Sequence, residues 1–413
     1  MKRCILFLFG FLMVASYLPA RDMKISFWHS MGFHVKSLIE KMADEYNRNH
    51  SGVRIEPVFQ GLYEEMQVKM LASAVTGQLP DVAQVQMEYL DPYIENGVVD
   101  PLGSEIPYEM KNDIMDIMWE TVTRNGKVYA VPYAISTMVF YYNGDAFQEA
   151  GIDPDSPPET WEQMVEYGKK LTGDTDGDGE IDTYAMMLWV NGMYGLAPML
   201  WANGGSFFSE DGQTINLTST EMVETVNLVC DLIFTHEIMP QTWSDWEAGQ
   251  AFLRGKLSMG AFTSAGLAYG EQNLPWSLKV APMPSINGNR YTVLSGSVLV
   301  NFARNKKKRR AVNDFIAWLV NKQNTARLHE TVGFIPVRKS SIKSLQVKAF
   351  DMKHPNYRVP IDSLEFARPL PVHVEFFKID NHIREMLQRI ILNRSDPLQE
   401  LRKTEKLINN MIQ

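Results

Sequence analysis

The chain has 413 residues, 45% of them hydrophobic, and its 49 Asp and Glu outnumber 40 Lys and Arg to give a formal net charge of −9. That length and apolar share allow one large or two medium domains with filled cores, while the acidic balance argues against a nucleic-acid partner. Two cysteines, one of them inside the first apolar run, exclude a disulfide framework.

Residues 1–20, MKRCILFLFGFLMVASYLPA, read as a secretory signal peptide: Lys2 and Arg3 lead an apolar run over 4–15, and Leu18, Pro19 and Ala20 precede a cut near Arg21. Retention of this segment as an N-terminal anchor is the alternative. No later segment holds the ~18 consecutive apolar residues of a membrane span, so the exported part is expected in the periplasm or cell envelope. Short β-branched runs then alternate with amphipathic stretches, the pattern of an α/β architecture. KISFWH (24–29), VRIEPVF (53–59) and DVAQVQ (81–86) read as strands, separated by helices over 34–48 and 63–76. Leu38, Ile39, Met42 and Tyr46 share one face of the first helix. Strand, helix, strand, helix, strand implies a parallel sheet, whose carboxyl-end crevice would gather Trp28, His29, Gly61, Tyr63, Met87 and Glu88.

YAVPYAISTMVFYYN (129–143) is an extended apolar run able to cross between lobes, and further crossings are expected near 290 and 338. They divide the chain into a first lobe of 21–133 plus 291–338 and a second of 134–290 plus 339–413. Thr160 stands at a helix N-cap with Gln163 completing a capping box. Cys230 lies at helical spacing beside Val226, Val229 and Ile233 and reads as buried and apolar. The charged run over 304–310 reads as a solvated loop before a helix at 312–319.

FWHSM (27–31), GLYEEM (61–66), LPDVAQV (79–85), YYNGDAFQEAGIDPDSPPETWEQM (141–164) and HETVGFIPV (329–337) together resemble the extracellular solute-binding proteins of carbohydrate-type ABC importers, along nearly the whole chain. Within that family the likeness is strongest to members that bind glycerol 3-phosphate. The resemblance implies two α/β lobes with mainly parallel sheets covered by helices, joined by a hinge and closing over a small polar solute. It implies a monomer that needs no cofactor for binding and that docks on a permease pair.

Residue by residue, the resemblance places Tyr63 and Glu88 against ligand hydroxyls, for which a carboxylate acceptor and an amphipathic ring are suited. It places Ser136, Ser264 and Gly296 where hydroxyls and backbone N–H groups approach the ligand, turn or strand roles being the plain alternative. Phe334 takes an aromatic position that is usually Tyr, with one hydrogen bond fewer. Arg384 in NHIREM matches the residue whose guanidinium would grip a phosphate. The segment before it, PVHVEFFKID, departs from the family's Gly- and Asn-containing approach, which leaves glycerol 3-phosphate, a glycerophosphodiester and a neutral sugar all open. Trp189 could stack on a ligand face, and Trp201 reads as core.

DTDGDGEIDTYA (174–185) has the spacing of a calcium loop: Asp174, Asp176 and Asp178 alternate, Glu180 offers a carbonyl and Asp182 is ninth, but the twelfth position is Ala185 rather than a bidentate Glu. A structural Ca2+ or a plain acidic turn would each account for it. There is no GxSxG, HExxH, P-loop or paired-cysteine motif, and His329-Glu330 lacks a following zinc-spaced His. The expectation is a binding protein rather than an enzyme; a glycoside hydrolase, whose two carboxylates need no fixed spacing, and a surface interaction protein are the other readings.

Overall fold

The computed structural model describes residues 22–175, 177–190, 192–241 and 245–412. The segment 1–20 expected to be a signal peptide and Asp176 of the acidic turn lie outside these residues. The first strand, β1 (Met23–His29), alternates so that Ile25, Phe27 and His29 point into the core, and the helix Phe33–Asn49 lays Leu38, Ile39, Met42 and Tyr46 over the sheet. Each such side chain contributes roughly 1.5–3 kcal/mol by leaving water. Asn47 ties that helix to β2 (Val53–Phe59), donating to the Ile55 carbonyl at 2.9 Å and accepting from its N–H at 2.7 Å. The helix Tyr63–Thr76 then leads to β3 (Val82–Gln86), as the sequence predicts.

A small antiparallel hairpin, β4 (Thr123–Arg124) and β5 (Lys127–Val128), precedes the long strand β6 (Val131–Asn143), which is buried along its whole length. The remaining strands are β7 (Tyr184–Leu188), β8 (Leu257–Thr263), β9 (Leu278–Ala281), β10 (Thr292–Asn301) and β11 (Ala367–Pro369). They form a nine-stranded sheet in the order β2-β1-β3-β10-β6-β8-β7, with β11 on β10 and β9 on β6. The pairs β1–β2, β1–β3, β7–β8 and β10–β11 are parallel, and the antiparallel pairs in this sheet all involve β6 or β10.

Those two strands connect the halves of the molecule. Residues 131–137 of β6 pair with β10, whereas 138–143 pair with β8 and β9, so the partners change between Thr137 and Met138. β10 changes partners in the same way, from β11 at 292–294 to β3 at 297–301. Its register with β6 shifts at Ser297/Val298, skipping Tyr133 beside Pro132. Proline has no N–H to give the ladder, and a bulge there accommodates it. The result is an α/β fold of two interleaved lobes.

Some local readings change. The helix expected to begin near 312 begins at Lys306, because Asn305 caps it by accepting from the N–H groups of Lys307 and Lys308. Lys308 and Arg309 reach back to Asp81 and Glu105, so part of the charged run is a paired helical turn, while Arg304, Lys306, Lys307 and Arg310 stay exposed. Thr160 accepts from Gln163 N–H as expected, but the Gln163 side chain accepts from Glu159 N–H instead of completing the box on Thr160. Cys230 is half-buried against the core, and burial lifts its thiol to about 11.

Candidate functional site

Polar groups from several elements meet where β6 and β10 pass between the lobes. β3 ends at Gln86, and the tight turn Met87–Tyr89 that follows holds Glu88 inside the protein, 1% exposed. Glu88 Oε1 accepts from Ser295 Oγ at 2.8 Å, and its Oε2 has no hydrogen-bond partner. Desolvation pushes the carboxyl up to about 7 despite the hydrogen bond from Ser295, and the nearby Asp380 charge adds to the rise.

Beside it, Gln84 Nε2 donates to Ser297 Oγ at 2.6 Å and, at 3.4 Å, to the Tyr63 hydroxyl, while its Oε1 accepts from Ser30 N–H at 3.2 Å. Burial raises the Tyr63 phenol. Ser136 faces Ser295 across the β6–β10 pair and accepts from Thr263 Oγ1 at 3.1 Å. Ser264 Oγ is buried without a partner in the short turn after β8. Trp189, just after β7, sets its ring edge-on to Tyr194 at 6.0 Å, and its buried Nε1 has no partner. The Tyr194 phenol is buried near Thr263, without a hydrogen bond of normal geometry.

Native interiors leave few buried polar atoms unsatisfied, so a connected set of them marks where another molecule belongs. Tyr133 Oη and Thr137 Oγ1 extend the set along β6. At the end of β1, His29 is fully buried with both ring nitrogens unpartnered, and desolvation followed by the Lys36 charge lowers it to about 4, so the ring is neutral at ordinary pH. A cavity of about 220 Å3 opens beside Glu88, walled by Gln67 and Tyr89 on one side and by Phe376 and Phe377 on the other. Tyr89 meets the Phe377 ring edge-on at 5.7 Å.

Arg384 stands on the helix Phe376–Asn393 and closes the set. One terminal nitrogen donates to Glu64 Oε1 at 3.1 Å and the other to Asp380 Oδ2 at 3.0 Å, while its buried Nε is unpartnered. Asp380 also accepts from Met193 N–H at 2.7 Å, and burial raises its carboxyl despite the guanidinium beside it. A Cβ on Gly192, whose φ is +78°, would lie 2.3 Å from Asp380 Oδ1, so glycine alone lets the chain pass here.

The structure thus brings Tyr63, Glu88, Ser136, Trp189, Ser264 and Arg384 into one connected region, and it adds Tyr89, Tyr194, Phe376, Phe377 and Asp380. Asp380 precedes Arg384 by one helical turn, a spacing visible in the sequence. Gly296 has a packing role: at φ +134°, its Cβ would fall 2.1 Å from the Ala134 carbonyl. Phe334 is a core residue at 6% exposure, its carbonyl accepting from His329 Nδ1. Trp201 is core, edge-on to Tyr291.

In the acidic turn, Asp174 accepts from the N–H groups of Gly177 and Gly179, Asp178 from Glu180 N–H, and Asp182 from Thr175 N–H and Oγ1. Glu180 is exposed. Among the described residues no three His, Cys, Asp or Glu side chains are grouped to hold a metal ion, and Asp176 is not one of those residues. No helix among them is long and apolar enough to cross a membrane.

A profile of bacterial extracellular solute-binding proteins matches residues 41–354. The chain belongs to that family. This binding protein is 26% identical over 378 residues, 87% of its length and 83% of the relative's, to the sn-glycerol-3-phosphate-binding periplasmic protein UgpB of Pectobacterium atrosepticum. Its identity to the protein of the same name from Salmonella typhimurium is 25%, over 84% of this chain and 82% of that one. Its fold superposes on UgpB of Mycobacterium tuberculosis in complex with glycerophosphocholine with a TM-score of 0.84 at 23% identity, covering 95% and 98% of the two chains. The maltose/maltodextrin-binding domain MalE of Bdellovibrio bacteriovorus bound to maltotriose gives 0.82 at 21% identity, covering 94% of this chain and all of that one. The fold is therefore that of periplasmic binding proteins, and the family's members are solute-binding proteins of ABC importers rather than enzymes.

Proposed function

We propose that this binding protein captures a glycerophosphate-type solute, of which a glycerophosphodiester fits the crevice best, and presents it to an ABC importer permease without altering it chemically. The observation that carries the reading is Glu88: a fully buried carboxylate with one oxygen held by Ser295 and the other unpartnered, positioned to accept a solute hydroxyl. Tyr63, Ser136 and Ser264 would take further hydroxyls, Trp189 and Tyr194 would flank an apolar or cationic face, and Arg384 Nε would donate to a phosphate oxygen. The relatives named for glycerol 3-phosphate support this solute class.

The lobes we assign are 21–133 with 291–338 and 134–290 with 339–413, moving about β6, β10 and the strand-like bridge from Ile335 to Ile135. Ligand contacts to both lobes would favour the closed state. Export by cleavage of the 1–20 segment and action as a monomer belong to the same reading. A neutral oligosaccharide is the second reading, favoured by the engagement of Arg384 with two carboxylates.

Native mass spectrometry of the gently purified protein, followed by calorimetry with glycerol 3-phosphate, glycerophosphocholine and maltotriose, tests the proposal. Tight binding of a glycerophosphate with its return unchanged is expected. Binding of maltotriose alone would replace the solute class, and release of a hydrolysed product would replace the binding role.

A further inference from the structure

The charge around Arg384 narrows the solute further, resting on the reading that this crevice is the capture site. A guanidinium grips a phosphate best through two parallel N–H bonds from one edge. Here each terminal nitrogen already has a carboxylate partner. One is held by Glu64 at 3.1 Å and the other by Asp380 at 3.0 Å, while the buried Nε has no partner. The cation is thus shared between two carboxylates, with the buried Glu88 as a third acid in the same electrostatic group. Lys378, which also lines the neighbouring cavity, is paired with Glu375 at 2.6 Å and adds no uncompensated positive charge.

We infer that Asp380, together with Glu64, makes this crevice select a phosphodiester over a phosphomonoester. A phosphomonoester carries a charge of about −1.5 to −2 at pH 7, whereas a diester carries a single negative charge. In a partly dry site each additional negative charge meets the buried Asp380 and Glu88 at low dielectric, with the exposed Glu64 adding a screened repulsion, so the second charge is repelled while one oxygen of a diester can still accept from Arg384 Nε. A diester's second substituent can also lie along Trp189 and Tyr194. Asp380 is therefore a specificity-determining residue: it positions Arg384 and engages one of its terminal nitrogens, and it is itself fixed by the N–H of Met193 at the start of the helix Met193–Ala202.

Calorimetry with glycerol 3-phosphate, glycerophosphocholine and maltotriose on the wild-type protein and on Asp380→Asn tests this. Asn retains an oxygen for Met193 N–H but removes the charge and frees one edge of Arg384. The wild type should bind glycerol 3-phosphate at least tenfold more weakly than glycerophosphocholine, and Asp380→Asn should narrow that gap about tenfold while changing maltotriose binding less than threefold. Glu64→Gln, which frees the other edge without touching Met193, should narrow it in the same direction and guards against a misfolded first variant. Equal wild-type affinity for the two glycerophosphates would overturn the inference while leaving the capture of glycerophosphates intact, as would a gap that neither variant narrows. If the wild type binds neither glycerophosphate, the glycerophosphate reading fails. The inference then survives only if one of the variants gains glycerol 3-phosphate binding, and no gain overturns it too.

Discussion

Glu88 and Asp380 lie inside the protein between the lobes, where one carboxylate oxygen is orphaned and the other acid is shared with Arg384; Asp174, Asp178 and Asp182 lie at the surface and turn onto the backbone of their own loop. Both groups are acidic clusters rich in functional suggestion. The difference is solvation. A surface carboxylate satisfied by neighbouring N–H groups is a stable turn whether or not an ion joins it, whereas a buried carboxylate with an unsatisfied oxygen costs folding free energy that a proton or a bound partner must offset. Burial without satisfaction is therefore the stronger mark of a site.

The largest effect should come from Glu88. Its carboxyl is raised from 4.5 to about 7, so between those values the folded protein binds a proton that the unfolded chain releases. Stability must then fall as pH rises through that window and level off above it, by roughly 3 kcal/mol for a shift of this size. Glu88→Gln keeps the volume and cannot ionise. Urea unfolding at pH 5 and pH 8 should show variant and wild type alike at the lower pH and the variant more stable at the higher one, with ligand affinity reduced. Parallel pH profiles would mean that Glu88 is adequately solvated and that the contrast with the surface turn is false.

Arg384→Ala comes next. Removing one member of a buried charge pair costs on the order of 2–5 kcal/mol of affinity, so a glycerophosphodiester should bind thirtyfold or more weakly. Arg384→Lys should recover part of the loss, because an ammonium supplies charge without the planar fork. Circular dichroism must accompany the calorimetry, since Asp380 and Glu64 lose their partner as well. Undiminished affinity in Arg384→Ala would move the solute to a neutral sugar held by Glu88, Tyr63 and Trp189.

Smaller in scale is the movement of the lobes. If β6 and β10 act as the flexible connection, saturating solute should contract the radius of gyration in small-angle scattering with no change in far-ultraviolet circular dichroism. A constant radius despite calorimetric binding would show the crevice to be preformed.

Much of this was legible in the sequence. The first five elements fall within about a residue of their predicted limits, because Val53 to Phe59 and the face bearing Leu38, Ile39, Met42 and Tyr46 carry unambiguous periodicities. Tyr63, Glu88 and Arg384 came from family likeness, and the structure brings them together. What escaped was relational. Nothing local distinguishes Gly296, a strand-packing residue, from a ligand-facing glycine until β6 is laid beside β10. Arg384 reads as a free cation until Glu64, distant in sequence, is folded against it. Asp380 was visible one turn away, yet its burial depends on the Gly192 loop. The 304–310 run is mostly exposed as expected, but its loop assignment failed, because the Asn305 cap starts the helix at Lys306 and Asp81 and Glu105 supply partners for Lys308 and Arg309 that propensity cannot anticipate.

The smallest expected effect belongs to the acidic turn, where a structural Ca2+ is our proposal. The pattern supplies alternating carboxylates and a ninth-position Asp182, but Ala185 stands where a bidentate Glu would complete the loop, so any affinity should be modest. An ion that binds only the folded state raises the melting temperature through linkage, by an amount set by its concentration relative to its dissociation constant. Millimolar calcium should therefore raise the melting temperature by roughly 1 °C over chelator, the shift that ~1 kcal/mol produces in a chain of this size. Asp176→Ala should abolish the gain and leave solute affinity nearly unchanged, because the turn 174–182 shares no hydrogen bond with Glu88 or Arg384 among the described residues. Identical melting curves in calcium and in chelator would leave Asp174, Asp178 and Asp182 as turn formers whose N–H partners already satisfy them, and would sharpen the contrast with the buried, unsatisfied Glu88.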